Sequence, residues 1–127
     1  MAKKILMIDD DQELCEEVSE ILRDEGYEVK TASDGIKGKK LIQNNRCDLV
    51  MLDLKMPKLT GFELLEYIKC VKPDLKIIVL TGSPLKNILG QKEQEDKNES
   101  QILKLANVVL NKPFDISVVL GKVKELA

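Results

Sequence analysis

The stretch KILMIDDD at residues 4–11 decides how the rest of the chain is interpreted. Its four apolar residues at positions 5–8 run without polar alternation, which is typical of a strand buried on both faces of a parallel sheet. Three aspartates follow this strand directly. Asp10 or Asp11 can cap a following helix, and Glu13 is placed to complete a capping box from Asp10. The sequence therefore predicts a buried strand that leads into a helix through a group of carboxylates.

Three further strands are predicted from apolar runs at residues 49–52, 77–80 and 108–110, and a short strand is predicted at residues 27–31. The segments between and after them favour helices, so that five strands alternate with five helices along the chain. Alternation at this spacing favours a parallel sheet with right-handed crossovers that cover both of its faces. The predicted fold class is α/β, a doubly wound five-stranded parallel sheet with five helices.

The helix boundaries and apolar faces follow from capping residues and helical spacing. Gly26 is predicted to end the first helix. The predicted caps of later helices are Ser33 or Asp34, then Thr60 with Glu63 as a capping box, and finally Asp115. The predicted apolar faces consist of Leu14, Val18, Ile21 and Leu22, of Ile36, Leu41 and Ile42, of Phe62, Leu65 and Ile68, and of Ile116, Val119, Leu120 and Val123.

The composition describes one ordinary globular domain over residues 1–127, with 43% hydrophobic and 33% charged residues. Twenty basic and 22 acidic residues give a net charge of −2, and aromatic residues make up 3%. Such a chain has neither the positive field nor the stacking surfaces expected for direct nucleic-acid binding. No apolar run approaches the roughly 20 residues that cross a bilayer. We therefore expect no membrane insertion and a cytoplasmic location.

Two features of the chain limit its chemistry further. The sequence contains no histidine, which excludes Ser-His-Asp and Cys-His catalysis and histidine-ligated metals. Cys15, Cys47 and Cys70 are widely spaced and odd in number, so we interpret them as small buried or half-buried hydrophobic residues. Residues 90–101, GQKEQEDKNESQ, contain no apolar side chain and are predicted to be a polar surface insertion, either a solvated helical extension or a loop.

Polar residues stand where the predicted strands end. Asp9 and Asp10 follow the first strand, and Asp53 follows the third. Thr81 follows the fourth strand, and Lys112 follows the fifth. Because active clefts of open parallel sheets lie beyond the carboxyl ends of the strands, we expect these side chains to converge. The alternative is that each residue only caps a helix or ends a strand, but their joint occurrence at four strand ends favours a functional site.

Three carboxylates in one place require a cation. Two of them about 4 Å apart repel by roughly 4 kcal/mol at an effective dielectric constant near 20. Oxygen ligands alone, without histidine or cysteine, favour a hard ion such as Mg²⁺, which readily shares phosphate oxygens. With Lys112 and Thr81 nearby, the cluster is predicted to bind a phosphoryl group. Asp53 is the candidate nucleophile, a carboxylate that forms an acyl phosphate.

Over essentially its whole length, the chain resembles the receiver domains of two-component response regulators, the CheY-like receiver family. The matching motifs are KILMIDDD at 4–11, TASDG at 31–35, DLVMLDLKMP at 48–57, GFELL at 61–65, IIVLTG at 77–82 and NKPF at 111–114. The resemblance implies a flavodoxin-like sheet with strand order 2-1-3-4-5. It also implies a phosphoacceptor switch rather than an enzyme, which catalyses its own phosphorylation and slow dephosphorylation.

The resemblance assigns a role to each site residue. It implies that Asp53 is phosphorylated, and that Asp10, Asp53 and the Lys55 backbone carbonyl bind Mg²⁺ together with Asp9, which acts directly or through water. Thr81 and Lys112 would contact the phosphoryl oxygens, and the Lys112–Pro113 bond would be cis. Asp11 is interpreted as a helix cap. The implied partners are a sensor histidine kinase or histidine phosphotransfer protein, and a downstream effector protein or domain.

Three positions depart from the family pattern or stay open. Val109 stands three residues before Lys112, where receivers commonly have an aromatic residue, so we hypothesise that output depends on the 81–83 loop and the helix expected after the fourth strand. The Lys55 side chain could pair with Asp10 or the phosphoryl group, although we favour a solvated side chain. Residues 90–101 lie on the face that receivers use for partners and could create or block an interface.

Two other function classes fit the sequence less well than a receiver. A hydrolase of the haloacid dehalogenase type also uses an aspartate nucleophile with Mg²⁺, but it requires a second aspartate where this chain has Lys55. A receiver-like module that is not phosphorylated would lack Asp53, Lys112 or the acidic pair, all of which are present. No output domain follows Ala127 in the sequence, which is compatible with a stand-alone receiver or with a receiver cut from a larger protein.

Overall fold

The computed structural model describes residues 2–56, 58–82 and 101–127. Five parallel strands form one sheet in the order β2-β1-β3-β4-β5. The elements are β1 (Lys4–Ile8), α1 (Gln12–Asp24), β2 (Glu28–Ala32), α2 (Gly35–Asn44), β3 (Leu49–Asp53), α3 (Gly61–Val71), β4 (Lys76–Thr81), β5 (Val108–Asn111) and α4 (Ile116–Leu126). Residues 101–103 are also helical and belong to the helix predicted between β4 and β5. The predicted fold class and strand order are confirmed.

Apolar side chains of the central strands pack on both faces of the sheet. Alternate residues such as Leu6 and Ile8 join one core cluster with helix α3, whereas Ile5 and Met7 join a second cluster with helices α1 and α4. β1, β3 and β4 are buried over nearly their whole lengths, as their unbroken apolar runs predicted. Strand β5 is half-buried because it lies at the edge of the sheet.

The helices begin at side chains that accept hydrogen bonds from their first turns. Asp11 caps α1 by accepting from the Leu14 N–H at 3.1 Å, which confirms its assignment as a cap. The capping box predicted from Asp10 is therefore wrong, because the helix begins one residue later. Thr60 caps α3 and bonds Glu63 twice, with its hydroxyl accepting from the backbone N–H and donating to Oε1. Asp34 and Asp115 cap α2 and α4 as predicted.

Several predicted details need correction. Ile36 does not join the apolar face of α2 but is 45% exposed, because it lies in the first turn on the outer side of the helix. Cys70 is exposed near the end of α3, although Cys15 is buried and Cys47 half-buried as expected, and all three thiols are free. Strand β2 begins and ends one residue later than predicted. Gly26 follows α1 with φ of +97°, a left-handed conformation that favours glycine.

Two lysines, Lys39 of α2 and Lys72 at the C-cap of α3, connect these two helices. The Lys72 Nζ donates to the carbonyl oxygens of Ile42 at 2.7 Å and Asn45 at 3.1 Å, at the C-terminal end of α2. Midway along the same pair of helices, the Lys39 ammonium lies 4.5 Å from the centroid of the Tyr67 ring. Helices α2 and α3 are therefore connected at their C-terminal ends and also midway along their lengths.

Two further predictions concern the polar insertion at residues 90–101 and the expected absence of membrane-spanning segments. Of the polar insertion predicted at residues 90–101, residues 90–100 lie outside the described part of the chain, and Gln101 is helical and exposed. The assignment of residues 1–127 to one domain with an insertion therefore stays a prediction. Within the described ranges, no helix has the length and apolar character needed to cross a membrane.

Candidate functional site

The candidate site lies at the edge of the sheet where the parallel strands end. Asp53 and Thr81 are the last residues of β3 and β4, Asp9 follows β1 directly, and Lys112 follows β5 directly. The strands place these residues close together because parallel strands end at the same edge of a sheet. The structure therefore brings the charged residues that the sequence singled out to one edge.

The Asp9 carboxylate is held in place by contacts to both of its oxygens. Its side chain is fully buried, and its Oδ2 lies 2.7 Å from the Lys112 Nζ. Its Oδ1 accepts a hydrogen bond from the Asp11 N–H at 2.9 Å, and its own backbone N–H donates to the Ala32 carbonyl at 3.0 Å. Each oxygen of the Asp9 carboxylate thus has a polar partner.

The charge of the Asp53 carboxylate is less well compensated than that of Asp9. Its Oδ1 lies 3.8 Å from the Lys112 Nζ, and its carboxylate accepts a hydrogen bond from the backbone N–H of Lys55. Burial, and after it the charge of Asp9, raises the pKa of Asp53 from 3.8 to about 6, although Lys112 and the Lys55 N–H oppose the change. The carboxylate is therefore ionised at neutral pH but is poorly compensated.

Asp10 completes an acidic group. Oxygens of Asp9, Asp10 and Asp53 lie within 4.8 Å of one another, and Asp10 is exposed while the other two are buried. Three carboxylates facing one ammonium group leave an excess of negative charge. Their chemistry fits Mg²⁺, which prefers oxygen ligands and keeps several waters. The described residues therefore contain a donor set suited to the ion that the sequence predicted.

Lys112 connects the two buried aspartates. Burial alone would lower its pKa, but the hydrogen bond to Asp9 and the charges of Asp53 and Asp9 together hold the pKa above its usual value. The Lys112 N–H donates to the Thr81 carbonyl at 2.7 Å, and the Lys112–Pro113 bond is cis, as predicted. Thr81 itself is almost fully buried at the end of β4. The ammonium group is thus fixed and charged between Asp9 and Asp53.

The loop that follows β3 is tied to helix α2 by residues whose contact the sequence did not indicate. The Lys58 Nζ lies 3.5 Å from Oδ2 of Asp34, whose Oδ1 accepts from the Lys37 N–H at 2.8 Å. The hydrogen bond from Lys37, with a smaller effect of Lys58, lowers the pKa of Asp34. Capping signals identified Asp34, but no local pattern could pair it with a residue 24 positions away. The Lys55 side chain is exposed, as expected.

Comparison with known families places this arrangement in a class. The sequence model described as the response regulator receiver domain matches residues 5–124. The chain belongs to this family of two-component signalling domains, which confirms the resemblance drawn from its motifs.

Individual relatives differ in how much of their length the chain covers. Response regulator MprA of Mycobacterium sp. (strain KMS) is 32% identical over 126 residues, which are 99% of this chain and 51% of MprA. Sporulation initiation phosphotransferase F of Bacillus subtilis (strain 168) is 30% identical over 125 residues, or 98% of this chain and 94% of that protein. The chain spans about half the length of several of the curated relatives it matches.

Solved structures show the same fold. The response regulator TrrA from Thermotoga maritima, described as a complex with Mg(2+)-BeF, aligns with a TM-score of 0.83 and 32% identity, covering 98% of this chain and 99% of TrrA. A CheY-like receiver domain protein from Methanospirillum hungatei JF-1 aligns with a TM-score of 0.82 and 32% identity, covering 98% of this chain and 93% of that one.

Proposed function

We propose that this receiver domain is a phosphorelay switch in which the Asp53 carboxylate accepts a phosphoryl group in a Mg²⁺-dependent reaction. The observation that carries the proposal is the position of this carboxylate. It is buried within 4.8 Å of two other carboxylates and has the Lys112 ammonium 3.8 Å from its Oδ1. A nucleophilic carboxylate beside a fixed cation and a metal-binding donor set is suited to forming an acyl phosphate.

Each site residue has a role in this proposal. Asp9, Asp10, Asp53 and the backbone carbonyl of Lys55 hold the metal, which supplies positive charge for the phosphoryl oxygens when it is bound. An Asp53 oxygen forms the bond to phosphorus while the bond between phosphorus and the donor's leaving group breaks. Lys112 compensates negative charge on the phosphoryl oxygens, and the Thr81 hydroxyl donates a hydrogen bond to one of them. Water later hydrolyses the acyl phosphate.

The proposed partners follow from membership of the receiver family. The phosphoryl donor is a phosphohistidine on a sensor histidine kinase or histidine phosphotransfer protein, and a downstream protein or domain recognises the phosphorylated form. A cytoplasmic location remains part of the proposal. The relative RpaA of Synechocystis sp. is described as a DNA-binding dual master transcriptional regulator, but the alignment covers 48% of its length. The absence of direct nucleic-acid binding by this segment therefore stays a prediction.

Phosphorylation is proposed to change a partner-binding surface around the 81–83 loop and the segment between β4 and β5. The added charge attracts the Lys112 ammonium and the Thr81 hydroxyl. Val109 is half-buried in the core cluster beneath α3, so the aromatic side chain common in receivers has no counterpart at this position. If amide exchange in residues 84–106 is the same before and after phosphorylation, this output route is wrong.

A direct test uses acetyl phosphate as a small donor, Mg²⁺ and intact mass measurement. We expect the parent chain to gain the mass of one phosphoryl group with Mg²⁺ and to gain none when EDTA replaces the metal. Asp53→Asn should gain no mass, because the amide cannot form the acyl phosphate. Asp74→Asn, which changes an exposed aspartate in the turn before β4, is the matched control and should react as the parent does.

Two results would contradict the proposal. One is an unmodified parent chain, which would favour a receiver-like module that works without phosphorylation. The other is equal modification of the parent and Asp53→Asn, which would place the acceptor elsewhere.

A further inference from the structure

The loop between β3 and α3 begins beside Asp53 and carries Lys55, whose backbone N–H reaches the Asp53 carboxylate. The base of this loop is closed by a hydrogen bond from the Gly61 N–H to the Leu54 carbonyl at 2.9 Å. A side chain at Gly61 would collide with the backbone of Asp53 and Leu54. The base of the loop is therefore fixed by close backbone contact, and its outer part depends on other contacts.

Lys58 lies in that outer part and has an unusual backbone conformation. Its φ is +74°, and within the described ranges it is the only residue with positive φ that is not a glycine. This conformation costs free energy for a residue with a Cβ, whereas glycine adopts it readily. A glycine would therefore be more favourable at position 58 unless the lysine side chain contributes something in return.

The side chain of Lys58 reaches helix α2. Its ammonium pairs at 3.5 Å with Oδ2 of Asp34, which is 5% exposed and caps α2 through its other oxygen. The next residue, Leu59, packs so closely on Gly35 that a side chain at Gly35 would collide with the Leu59 backbone. The outer part of the loop is thus held against the first turn of α2 at two adjacent points.

We propose that Lys58 is a positioning residue, whose ion pair with Asp34 holds the β3–α3 loop so that the Lys55 backbone stays directed towards the metal and phosphoryl site. This inference rests on the proposed function, because it concerns the same site. Among the described residues, the ion pair of Lys58 is with Asp34 and not with Asp9, Asp10 or Asp53, so we place its effect in the loop. The Lys58 side chain is 58% exposed, so losing its ion pair should weaken Mg²⁺ binding by about two- to fivefold, the range expected for exposed ion pairs.

Two substitutions separate this role from a contribution to stability alone. Lys58→Ala removes the ion pair and keeps the unfavourable backbone conformation, whereas Lys58→Gly removes the ion pair and relieves it. We expect both variants to bind Mg²⁺ about two- to fivefold more weakly than the parent in titration calorimetry. Thermal unfolding should rank them differently, with Lys58→Gly melting at a higher temperature than Lys58→Ala.

Conservative variants complete the test. Lys58→Arg keeps the charge and should restore Mg²⁺ affinity, and Lys40→Ala, which removes an exposed lysine of α2, should leave it unchanged. Asp34→Asn keeps a side chain able to cap the helix and should weaken Mg²⁺ binding as Lys58→Ala does. The double variant Asp34→Asn/Lys58→Ala should be no weaker than either single variant, because both remove the same contact.

Parental Mg²⁺ affinity in Lys58→Ala, or fully additive losses in the double variant, would overturn this inference. Those results leave the proposed function intact if the parent still binds Mg²⁺ and accepts a phosphoryl group. A parent chain that does neither would contradict the proposed function itself.

Discussion

The ends of β1 and β3 each present a buried aspartate to the same lysine, but the two carboxylates differ in how well they are compensated. Asp9 lies 2.7 Å from the Lys112 Nζ and also accepts the Asp11 N–H. Asp53 lies 3.8 Å from the same Nζ, and burial beside Asp9 raises its pKa to about 6. One carboxylate has a close ionic partner, whereas the other bears a charge that its surroundings only partly offset.

This difference separates two tasks within one acidic group. A carboxylate whose two oxygens both have polar partners, as in Asp9, is held in a fixed position. A carboxylate with an uncompensated charge is the better candidate to react, because a bound cation or a covalent bond lowers its energy most. The three predictions that follow test this contrast, in order of decreasing expected effect on the free energy of unfolding.

The largest effect is expected from Lys112→Ala. This change removes the cation that lies 2.7 Å from the fully buried Asp9 carboxylate, so we expect the free energy of unfolding to fall by about 2–4 kcal/mol. Urea denaturation at pH 7.5 in EDTA measures this change. Lys122→Ala, which removes a lysine of α4 with an exposed ion-pair partner, is the control and should cost less than about 0.5 kcal/mol.

A double-mutant cycle sharpens the same comparison. The loss caused by Lys112→Ala should shrink strongly in an Asp9→Asn background, because the uncompensated charge is then gone. It should persist in an Asp53→Asn background. The opposite pattern would mean that Lys112 mainly compensates Asp53, and the contrast between the two strand ends would be wrong.

The second prediction concerns pH and Asp53. Its pKa of about 6 in the folded chain exceeds the ordinary 3.8, so the folded state binds a proton that the unfolded state has already lost between these values. Stability from this group therefore falls as the pH rises through that window. Without Mg²⁺, Asp53→Asn should raise the free energy of unfolding by about 1–3 kcal/mol at pH 8, and the gain should vanish below about pH 4.

Urea denaturation of both chains from pH 4 to 8 checks this prediction, and Asp74→Asn serves as the control. Adding Mg²⁺ should reduce the difference between parent and Asp53→Asn, because the ion stabilises the folded chain that binds it better. An Asp53→Asn variant that is less stable than the parent at pH 8 in EDTA would show that the ionised carboxylate is well compensated after all.

The smallest effect is expected at Asp11, beside the acidic group. Asp11→Ala removes the side chain that accepts from the Leu14 N–H and should cost about 1 kcal/mol, a typical value for an N-cap. Its backbone N–H, which donates to Asp9, is retained, so Mg²⁺ affinity should change less than about twofold. Denaturation and calorimetry measure the two quantities. A larger loss of affinity would make Asp11 part of the metal site.

The sequence predicted those parts of the molecule that depend on local patterns. Unbroken apolar runs such as residues 49–52 identified central strands, because a strand covered on both faces has no polar side. Once the strands were known, parallel topology placed Asp9, Asp53 and Lys112 at one edge. The cap at Asp11 also followed from local chemistry, although the alternative at Asp10 differed from it by a single residue.

The sequence did not predict features that depend on tertiary distances. The closer contact of Lys112 with Asp9 than with Asp53 is a difference of about one ångström between side chains, which no spacing rule resolves. The Lys58–Asp34 pair joins the β3–α3 loop to the N-cap of α2. Lysine has no preference for a left-handed conformation that would have marked position 58. The exposure of Ile36 depends on where the first turn of α2 lies relative to its neighbours.

The contacts of Lys72 couple the stability of helix α2 to that of helix α3. Helix α2 has no basic residue in its own last turn, and the cation that stabilises its C-terminal carbonyl groups comes from the cap of α3. Local unfolding at the end of α3 therefore withdraws that charge from α2 as well. We therefore expect the C-terminal ends of the two helices to open together, so that their amide protons exchange at similar rates.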